Sequence, residues 1–240
     1  MDILQALEVY KQFGNRLVVK GISLDINQGE IVGLLGPNGA GKTTTFYMLV
    51  GIIAPDKGRV IFAGKDITRL SLPKRADLGM SYLPQESSIF KKLTVYDNLM
   101  LILEYTCKDK KARREKAEFL MQELGITRLA GQKASFLSGG EARRLEIARS
   151  LIKDPKFILL DEPFAGIDPI AVDDIQKIIL RLKQKNIGVL ISDHNVRETL
   201  KICDRASLIY DGQVIFNGTP GEISQDARAR QVYLGESFHL

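Results

Sequence analysis

LLGPNGAGKTTTFYMLV, residues 34–50, places three glycines, one lysine and three threonines inside an otherwise apolar segment. The spacing G-x-x-x-x-G-K-T, from Gly36 to Thr43, follows an apolar run and precedes a helical pattern. Glycines let successive backbone N–H groups turn inward around an anion, because they reach conformations closed to residues with a β-carbon. An ordinary glycine-rich turn is the plainer alternative, but a strand, such a turn and a helix in this order predict a cradle for a nucleoside triphosphate.

The end of this motif also predicts what holds the phosphates and a metal. Lys42 would place its ammonium group on the outer phosphates, and the Thr43 hydroxyl would ligate Mg²⁺ at the positive end of a helix. The predicted cradle comprises Gly36, Pro37, Asn38, Gly39, Ala40, Gly41, Lys42, Thr43 and Thr44.

The composition bounds the class of protein. With 45% hydrophobic and 26% charged residues, the chain resembles an ordinary globular domain. No apolar run approaches the ~18 residues that span a bilayer, and the N-terminus lacks a signal-peptide pattern, so we expect a cytoplasmic protein. Cys107 and Cys203 lack metal-type spacing and are expected to be reduced thiols. The net charge of +5 does not by itself choose between nucleotide, nucleic acid and membrane partners.

The hydrophobic pattern changes period along the chain. Residues 6–35 alternate in short pieces, which predicts short strands leading into the glycine-rich turn. Residues 95–153 carry helical spacing, whereas 157–160 and 188–192 are strongly apolar strands. A helix that begins after Asp168 separates those two strands, so a parallel sheet with a helical insertion is expected.

The segment FILLDEP, residues 157–163, has the pattern of a buried strand that ends in two carboxylates. Ligands of open α/β sheets bind beyond the carboxyl ends of the strands, which would bring these carboxylates to the glycine-rich turn. Asp161 can then hold Mg²⁺, and Glu162 can polarise a water for attack on the γ-phosphate. Taken alone, two acidic residues at a strand end could equally be turn residues.

The segment LSGGE, residues 137–141, predicts the start of a helix, because Ser138 and Glu141 form an S-x-x-E capping box. Capping does not require Gly139 and Gly140, which leave bare backbone N–H groups at a positive helix end. Residues 138–141 are therefore a second candidate phosphate site, and two such sites for one triphosphate suggest that the nucleotide is shared between two molecules.

Together with a histidine about thirty residues beyond the Asp-Glu pair, these motifs resemble the ATP-binding subunit of ABC transporters along the whole chain. The resemblance implies an α/β fold: a P-loop NTPase (RecA-like) core, a small antiparallel β subdomain and an inserted helical subdomain. It implies Mg-dependent ATP hydrolysis in a head-to-tail dimer, where the P-loop of one copy and LSGGE of the other enclose each ATP.

The resemblance also assigns roles to further residues. Gln85 matches a glutamine that contacts Mg²⁺ and senses the membrane partner, and His194 matches a histidine that contacts the γ-phosphate. Residues 165–168 match a loop that crosses the dimer interface. Phe13 would stack on adenine, with Tyr10 as the alternative aromatic.

The expected organisation is a single ABC ATP-binding domain. Its β subdomain and nucleotide-binding core comprise residues 1–86 and 154–225, and the helical subdomain comprises residues 87–153. Residues 226–240 form a C-terminal tail, which follows a T-x-x-E capping pattern at Thr219. We expect this tail to pack on its own chain or on its dimer mate and to matter for assembly.

Three classes of P-loop protein are open: a transporter motor, a soluble ABC protein acting on ribosomes or DNA, and a P-loop kinase. Soluble ABC proteins of translation typically carry two cassettes, and those of DNA repair carry a long coiled coil, whereas a kinase lacks LSGGE. The chain has one set of motifs and no such insertion. The sequence therefore favours the motor.

Within the motors, several segments resemble the ATPase subunits of lipopolysaccharide export systems. Phe164 in LDEPFAGIDPIAV and the residues NVRET after the histidine carry much of the likeness, whereas Ala142 departs from a common basic residue. Branched-chain amino-acid importer ATPases are the alternative. This resemblance implies two copies on the cytoplasmic face of the inner membrane, beneath two membrane subunits, with no nucleic-acid partner and no direct contact with the transported molecule. The predicted docking groove is lined by Ile89, Phe90, Leu93 and Tyr96.

Overall fold

The computed structural model describes residues 2–235 and Phe238, which form two sheets and a set of helices. The strands are β1 (Ile3–Phe13), β2 (Arg16–Asn27), β3 (Ile31–Leu35), β4 (Lys57–Phe62), β5 (Lys65–Asp66), β6 (Met80–Leu83), β7 (Phe157–Asp161), β8 (Gly188–Ser192), β9 (Arg205–Tyr210) and β10 (Gln213–Gly218). The helices are α1 (Lys42–Val50), α2 (Leu72–Asp77), α3 (Val95–Thr106), α4 (Lys110–Glu123), α5 (Gly139–Ser150), α6 (Pro169–Gln184), α7 (Val196–Leu200), α8 (Pro220–Gln225) and α9 (Ala227–Ala229).

The larger sheet has the order β10-β9-β3-β8-β7-β6. Its strands are parallel, except that β10 pairs antiparallel with β9. The side chains on the two faces of the sheet belong to two separate hydrophobic cores. On β7, Ile158 and Leu160 pack in one core, while Phe157 and Leu159 pack in the other. Burial on both faces explains why these strands are almost continuously apolar. The predicted α/β fold is confirmed.

The smaller sheet is antiparallel with the order β2-β1-β4-β5, and it packs on the core that contains α1. The prediction of short strands in this region is wrong, because β1 and β2 run for 11 and 12 residues. Their pairing shifts register between Ala6 and Val9, where Glu8 has a φ of +45°. Such bulges interrupt the alternation of apolar and polar residues, so one strand looks like several in the sequence.

Between β6 and β7 the chain forms α3, α4 and α5, and the apolar faces of these helices join the core on one side of the larger sheet. Asp109 begins α4 by accepting hydrogen bonds from the N–H groups of Lys111 and Ala112. Within the described part of the chain, no helix is both long enough and apolar enough to cross a membrane.

The segment after β10 returns to the larger sheet. Thr219 and Glu222 form the capping box that begins α8. Tyr233 and Leu234, in a π-helical turn at residues 230–234, pack against a cluster that includes Leu35 at the end of β3. The rest of the predicted tail, Glu236, Ser237, His239 and Leu240, lies outside the described residues.

Candidate nucleotide-binding site

The glycine-rich loop lies at the carboxyl end of β3 and leads directly into α1. Gly36 and Gly41 have φ angles of +147° and +105°. A β-carbon at Gly36 would lie 2.1 Å from the carbonyl oxygen of Ile209, and one at Gly41 would lie 2.9 Å from that of Val18. Both the backbone conformation and the close approach of β9 and β2 therefore require glycine at these positions.

The Lys42 side chain folds back onto the glycine-rich loop and bonds to its backbone. Its Nζ donates hydrogen bonds to the carbonyl oxygens of Gly36 (2.5 Å) and Pro37 (3.0 Å). Burial lowers the pKa of Lys42, and the negative charges of Glu162 and Asp161 oppose that effect. The ammonium group therefore bonds to the loop within electrostatic range of two carboxylates. The neighbouring Thr43, which carries a hydroxyl group, is exposed.

The sheet order explains how the other motifs reach this loop. The strands β3, β8, β7 and β6 are consecutive neighbours, and all four are parallel. Their carboxyl ends therefore meet at one edge. At that edge β8 leads to His194, β7 ends at Asp161, and Gln85 follows β6.

Glu162 contacts side chains from the segments that follow β6 and β8. Its Oε2 accepts a hydrogen bond from Gln85 Nε2 at 2.8 Å and lies 3.2 Å from His194 Nδ1. Its own N–H donates to the carbonyl oxygen of Ser192 at 2.6 Å, and its φ is +44°. A left-handed conformation is costly for a residue with a side chain, so tertiary contacts must hold Glu162 in it. The same contacts orient its carboxylate toward Gln85 and His194.

Asp161 is buried beneath Glu162, with 3% of its surface exposed. Burial, followed by repulsion from Glu162, raises the pKa of Asp161 to about 6, although the Arg143 guanidinium opposes the rise. Two adjacent carboxylates, one of them buried, form a pocket of negative charge that a cation would stabilise.

These residues fit Mg²⁺. The Thr43 hydroxyl, the Gln85 amide and the Asp161 carboxylate can all present oxygen, the ligand type that Mg²⁺ prefers. Among the described residues no cluster of three or more His, Cys, Asp and Glu side chains is arranged for a metal. Mg²⁺ commonly takes only one or two carboxylates and completes its shell with substrate phosphates and water.

The LSGGE segment lies at the start of α5, whose first helical residue is Gly139. The Ser138 side chain caps the helix, and Glu141 completes the capping box by accepting from Ser138 N–H (3.0 Å) and Oγ (2.9 Å). These hydrogen bonds lower the pKa of Glu141. Ser138 and Gly139 are exposed, whereas a β-carbon at Gly140 would lie 2.6 Å from that of Ala171. Among the described residues, no hydrogen bond or ion pair joins residues 137–141 to the glycine-rich loop.

Sequence reasoning did not identify Arg143, which is 6% exposed and forms an ion pair of 2.9 Å with Glu146. Arg143 also donates to carbonyl oxygens on both sides of the site: those of Pro84, Asp161, Glu162 and Pro163. Glu146 in turn accepts from Ser87 Oγ at 2.7 Å and from Ser88 N–H at 3.0 Å. The pair therefore connects α5 to the segments that carry Gln85 and Glu162. The available signal was a charged pair at i, i+3 on the apolar face of a predicted helix.

Asp193 is the second residue that sequence reasoning did not identify. It is 1% exposed, and its carboxylate accepts from the N–H groups of Phe164 (3.2 Å) and Asn195 (2.7 Å). Burial raises the pKa of Asp193. The two hydrogen bonds fix the turn that presents His194 to the segment after Glu162.

The two aromatic candidates for an adenine contact occupy different environments. Phe13 lies at the tip of the β1–β2 hairpin, half of its surface is exposed, and Lys11 Nζ lies 5.7 Å from its ring centroid. The Tyr10 ring instead lies across Gly21, where a β-carbon would be 2.6 Å from its hydroxyl oxygen. Phe13 therefore offers the more accessible ring.

The predicted docking residues follow Gln85 and cover the start of α3. Phe90 is 46% exposed, whereas Ile89 and Tyr96 are partly buried against the core, and Leu93 is also partly buried. The Arg149 guanidinium lies 5.0 Å from the Phe90 ring centroid. Phe90 is thus the most exposed apolar side chain of this group.

A glycine-rich loop before α1, two carboxylates after a buried strand and an aligned histidine define a P-loop nucleoside triphosphatase. Comparison with known proteins narrows this class. The ABC transporter family model matches residues 19–165. The chain therefore belongs to the ABC transporter family, and it is an ATP-binding ATPase coupled to transport.

The relatives extend over the whole chain. It is 54% identical to the lipopolysaccharide export system ATP-binding protein LptB of Haemophilus influenzae and 54% identical to that of Escherichia coli (strain K12). Each alignment covers 100% of both proteins. Among solved structures, an ATP-binding cassette of an ABC transporter in its ADP conformation has a TM-score of 0.88 at 31% identity, over 98% of this chain and 100% of the other.

Proposed function

We propose that this chain is the motor subunit of a lipopolysaccharide export system, in which two copies bind and hydrolyse ATP to drive extraction of lipopolysaccharide from the inner membrane. The convergence of Gln85 and His194 on Glu162, next to Lys42, carries the proposal of hydrolysis. The full-length similarity to proteins named for lipopolysaccharide export supports the transported substance.

Each group around the triphosphate has a proposed task. The N–H groups of residues 36–44 and the Lys42 ammonium bind the phosphates, and the adenine ring stacks on Phe13. Mg²⁺ held by Thr43, Gln85 and Asp161 would neutralise charge on the phosphates. Glu162 orients a water and accepts its proton as the water attacks the γ-phosphate.

His194 lies beside this carboxylate and is proposed to contact the γ-phosphate. Since Nδ1 lies 3.2 Å from Glu162 Oε2, an N–H at Nδ1 would donate a hydrogen bond to the carboxylate. Asp193 holds the turn in which the ring sits. When hydrolysis removes the γ-phosphate, the proposed contacts of Gln85 and His194 with it are lost.

The exposed start of α5 supports a site shared between two copies. Ser138 and Gly139 face solvent at a positive helix end and make no hydrogen bond to the loop at 36–41 within the described chain. A triphosphate held in the loop of one copy would be covered by residues 138–141 of the other, and residues 165–168 would lie between them.

Membrane subunits are proposed to dock on the groove of Ile89, Phe90, Leu93 and Tyr96, which places the motor on the cytoplasmic face of the inner membrane. Arg149 donates to the carbonyl oxygen of Ser88 at 2.5 Å, so the groove is tied to α5. Gln85 precedes these docking residues in the same segment. Docking of a membrane subunit would therefore shift Gln85 and change its contact with the nucleotide site. The proposed domain boundaries at 87 and 154 delimit this helical unit.

Copurification from detergent-solubilised native membranes tests the proposal. We expect the tagged chain to recover two different membrane subunits together with proteins of lipopolysaccharide export, and Phe90→Glu to lose them while Phe119→Glu, altered at another exposed phenylalanine, retains them. Recovery of amino-acid permeases with a periplasmic binding protein would assign the motor to import. Recovery of ribosomal or DNA-repair proteins would contradict a transport role.

A further inference from the structure

We propose that Arg16 contacts the nucleotide and holds the phosphate nearest the base. The inference rests on the proposed binding of ATP at residues 36–44. It adds a cation that no motif predicts, because Arg16 lies on the β1–β2 hairpin, outside the glycine-rich loop.

The hairpin places Arg16 beside the predicted adenine contact. Arg16 is the first residue of β2 and pairs directly with Phe13, the last residue of β1. Residues directly opposite in an antiparallel pair have β-carbons about 5 Å apart, so the two side chains emerge together at the tip. Arg16 thus shares the end of the hairpin with Phe13, the more accessible of the two aromatic residues proposed to contact the base.

The hairpin is also fixed relative to the glycine-rich loop. The Val18 carbonyl oxygen lies 2.9 Å from the position of a β-carbon at Gly41. Lys20 N–H donates to the Gly212 carbonyl oxygen at 2.8 Å, and Gly212 N–H donates to the Ala40 carbonyl oxygen at 2.9 Å. These contacts lie within four residues of Arg16, so its position over the loop is set by backbone packing.

The guanidinium reaches the loop itself. Its Nη2 lies 4.0 Å from the position that a β-carbon would take at Gly39, and the residue is exposed. Within the described chain, Arg16 has no hydrogen bond, ion pair or ring contact. The buried Arg75 and Arg143, by contrast, each donate to several carbonyl oxygens. A free guanidinium over an anion cradle has its donors available for a ligand.

The positions of the side chains along the site indicate which phosphate Arg16 would contact. Lys42 and Glu162 lie at the γ-phosphate end, and Phe13 lies at the base end. Arg16 stands between them, beside Gly39 in the middle of the loop. A guanidinium presents a planar fork of N–H donors that matches phosphate oxygens, and the pairing of Arg16 with Phe13 at the base end assigns it to the α-phosphate.

Calorimetric titration of the full chain with ADP and with a non-hydrolysable ATP analogue tests this assignment. For Arg16→Ala we expect Kd to rise about tenfold for both ligands, the lower end of the range for hydrogen bonds to charged groups. The ratio of the two Kd values should stay unchanged, since the α-phosphate is common to both. Arg16→Lys should recover part of the affinity.

Arg59→Ala is the matched control, because Arg59 is an exposed arginine on β4 of the same sheet and its removal changes the net charge equally. Equal Kd values for Arg16→Ala and Arg59→Ala would overturn the inference, as would a loss confined to the ATP analogue, which would place Arg16 at the γ-phosphate. Absence of nucleotide binding by the unaltered chain would instead contradict the proposed function. Thermal unfolding midpoints of both variants check that each is folded.

Discussion

The carboxyl edge of the larger sheet and the amino end of α5 both offer backbone N–H groups to an anion, but their surroundings differ. At the sheet edge, Glu162 already contacts Gln85 and His194, and Lys42 is held by two carbonyl oxygens. At α5, Ser138 is exposed, and among the described residues it bonds only to Glu141 and Ala142 of the same helix. The first region is assembled within one chain, whereas the second is presented outward. In the proposed head-to-tail dimer, the first region is the catalytic half of a site and the second is the covering half supplied by the other copy.

Removal of Glu162, the proposed general base, is expected to have the largest effect on the assembled half. Glu162→Gln keeps the shape and the hydrogen-bonding capacity toward Gln85 but cannot accept a proton, so steady-state ATP turnover should fall about a thousandfold. ATP binding should persist. A phosphate-release assay beside a binding titration separates the two effects.

Glu118→Gln, at an exposed position on α4, is the control for the same chemical change. Substantial turnover by Glu162→Gln would remove Glu162 from the role of base.

Arg143 tests the connection between the two halves. Arg143→Ala leaves Glu146 buried without its partner and frees several carbonyl oxygens, so the free energy of unfolding should fall by about 3–5 kcal/mol. Urea unfolding followed by circular dichroism measures the loss.

The double variant Arg143→Met/Glu146→Met removes both charges and should regain part of that stability, because no uncompensated charge remains. A double variant that is less stable than Arg143→Ala would show that the unpaired carboxylate is not the cause.

The charge of Asp161 should make the stability of the nucleotide-free fold depend on pH. Its pKa is raised from 3.8 to about 6, so its charge destabilises the nucleotide-free fold above pH 6. Asp161→Asn should therefore stabilise that fold by about 1–3 kcal/mol at pH 7.5, and the gain should shrink as the pH falls from about 6 toward 4. Thermal unfolding in EDTA measures it.

With Mg²⁺ and ATP the sign should reverse, because the variant has lost a proposed metal ligand. A gain that persists with Mg²⁺ and ATP would argue against metal binding by Asp161.

The sequence allowed prediction where local spacing determines structure. The turn at residues 36–43, the capping boxes at Ser138 and Thr219, and the two carboxylates at the end of β7 depend on near neighbours in the chain. The unbroken strands β1 and β2 were not predictable, since bulges hide their alternation. Nor was the reach of Arg143, whose acceptors lie about 18 to 59 residues away and are set by the packing of α5 on β6 and β7.

Mixing two inactive variants tests the central claim most directly. Lys42→Ala disables the catalytic half, and Ser138→Glu places a negative charge in the covering half. In a head-to-tail dimer of one variant with the other, one of the two sites keeps an intact loop and an intact LSGGE segment. Equal mixtures should therefore recover up to about a quarter of the unaltered ATPase activity, given random pairing and independent sites. If each chain instead hydrolysed ATP with its own LSGGE segment, the mixture would remain as inactive as its components.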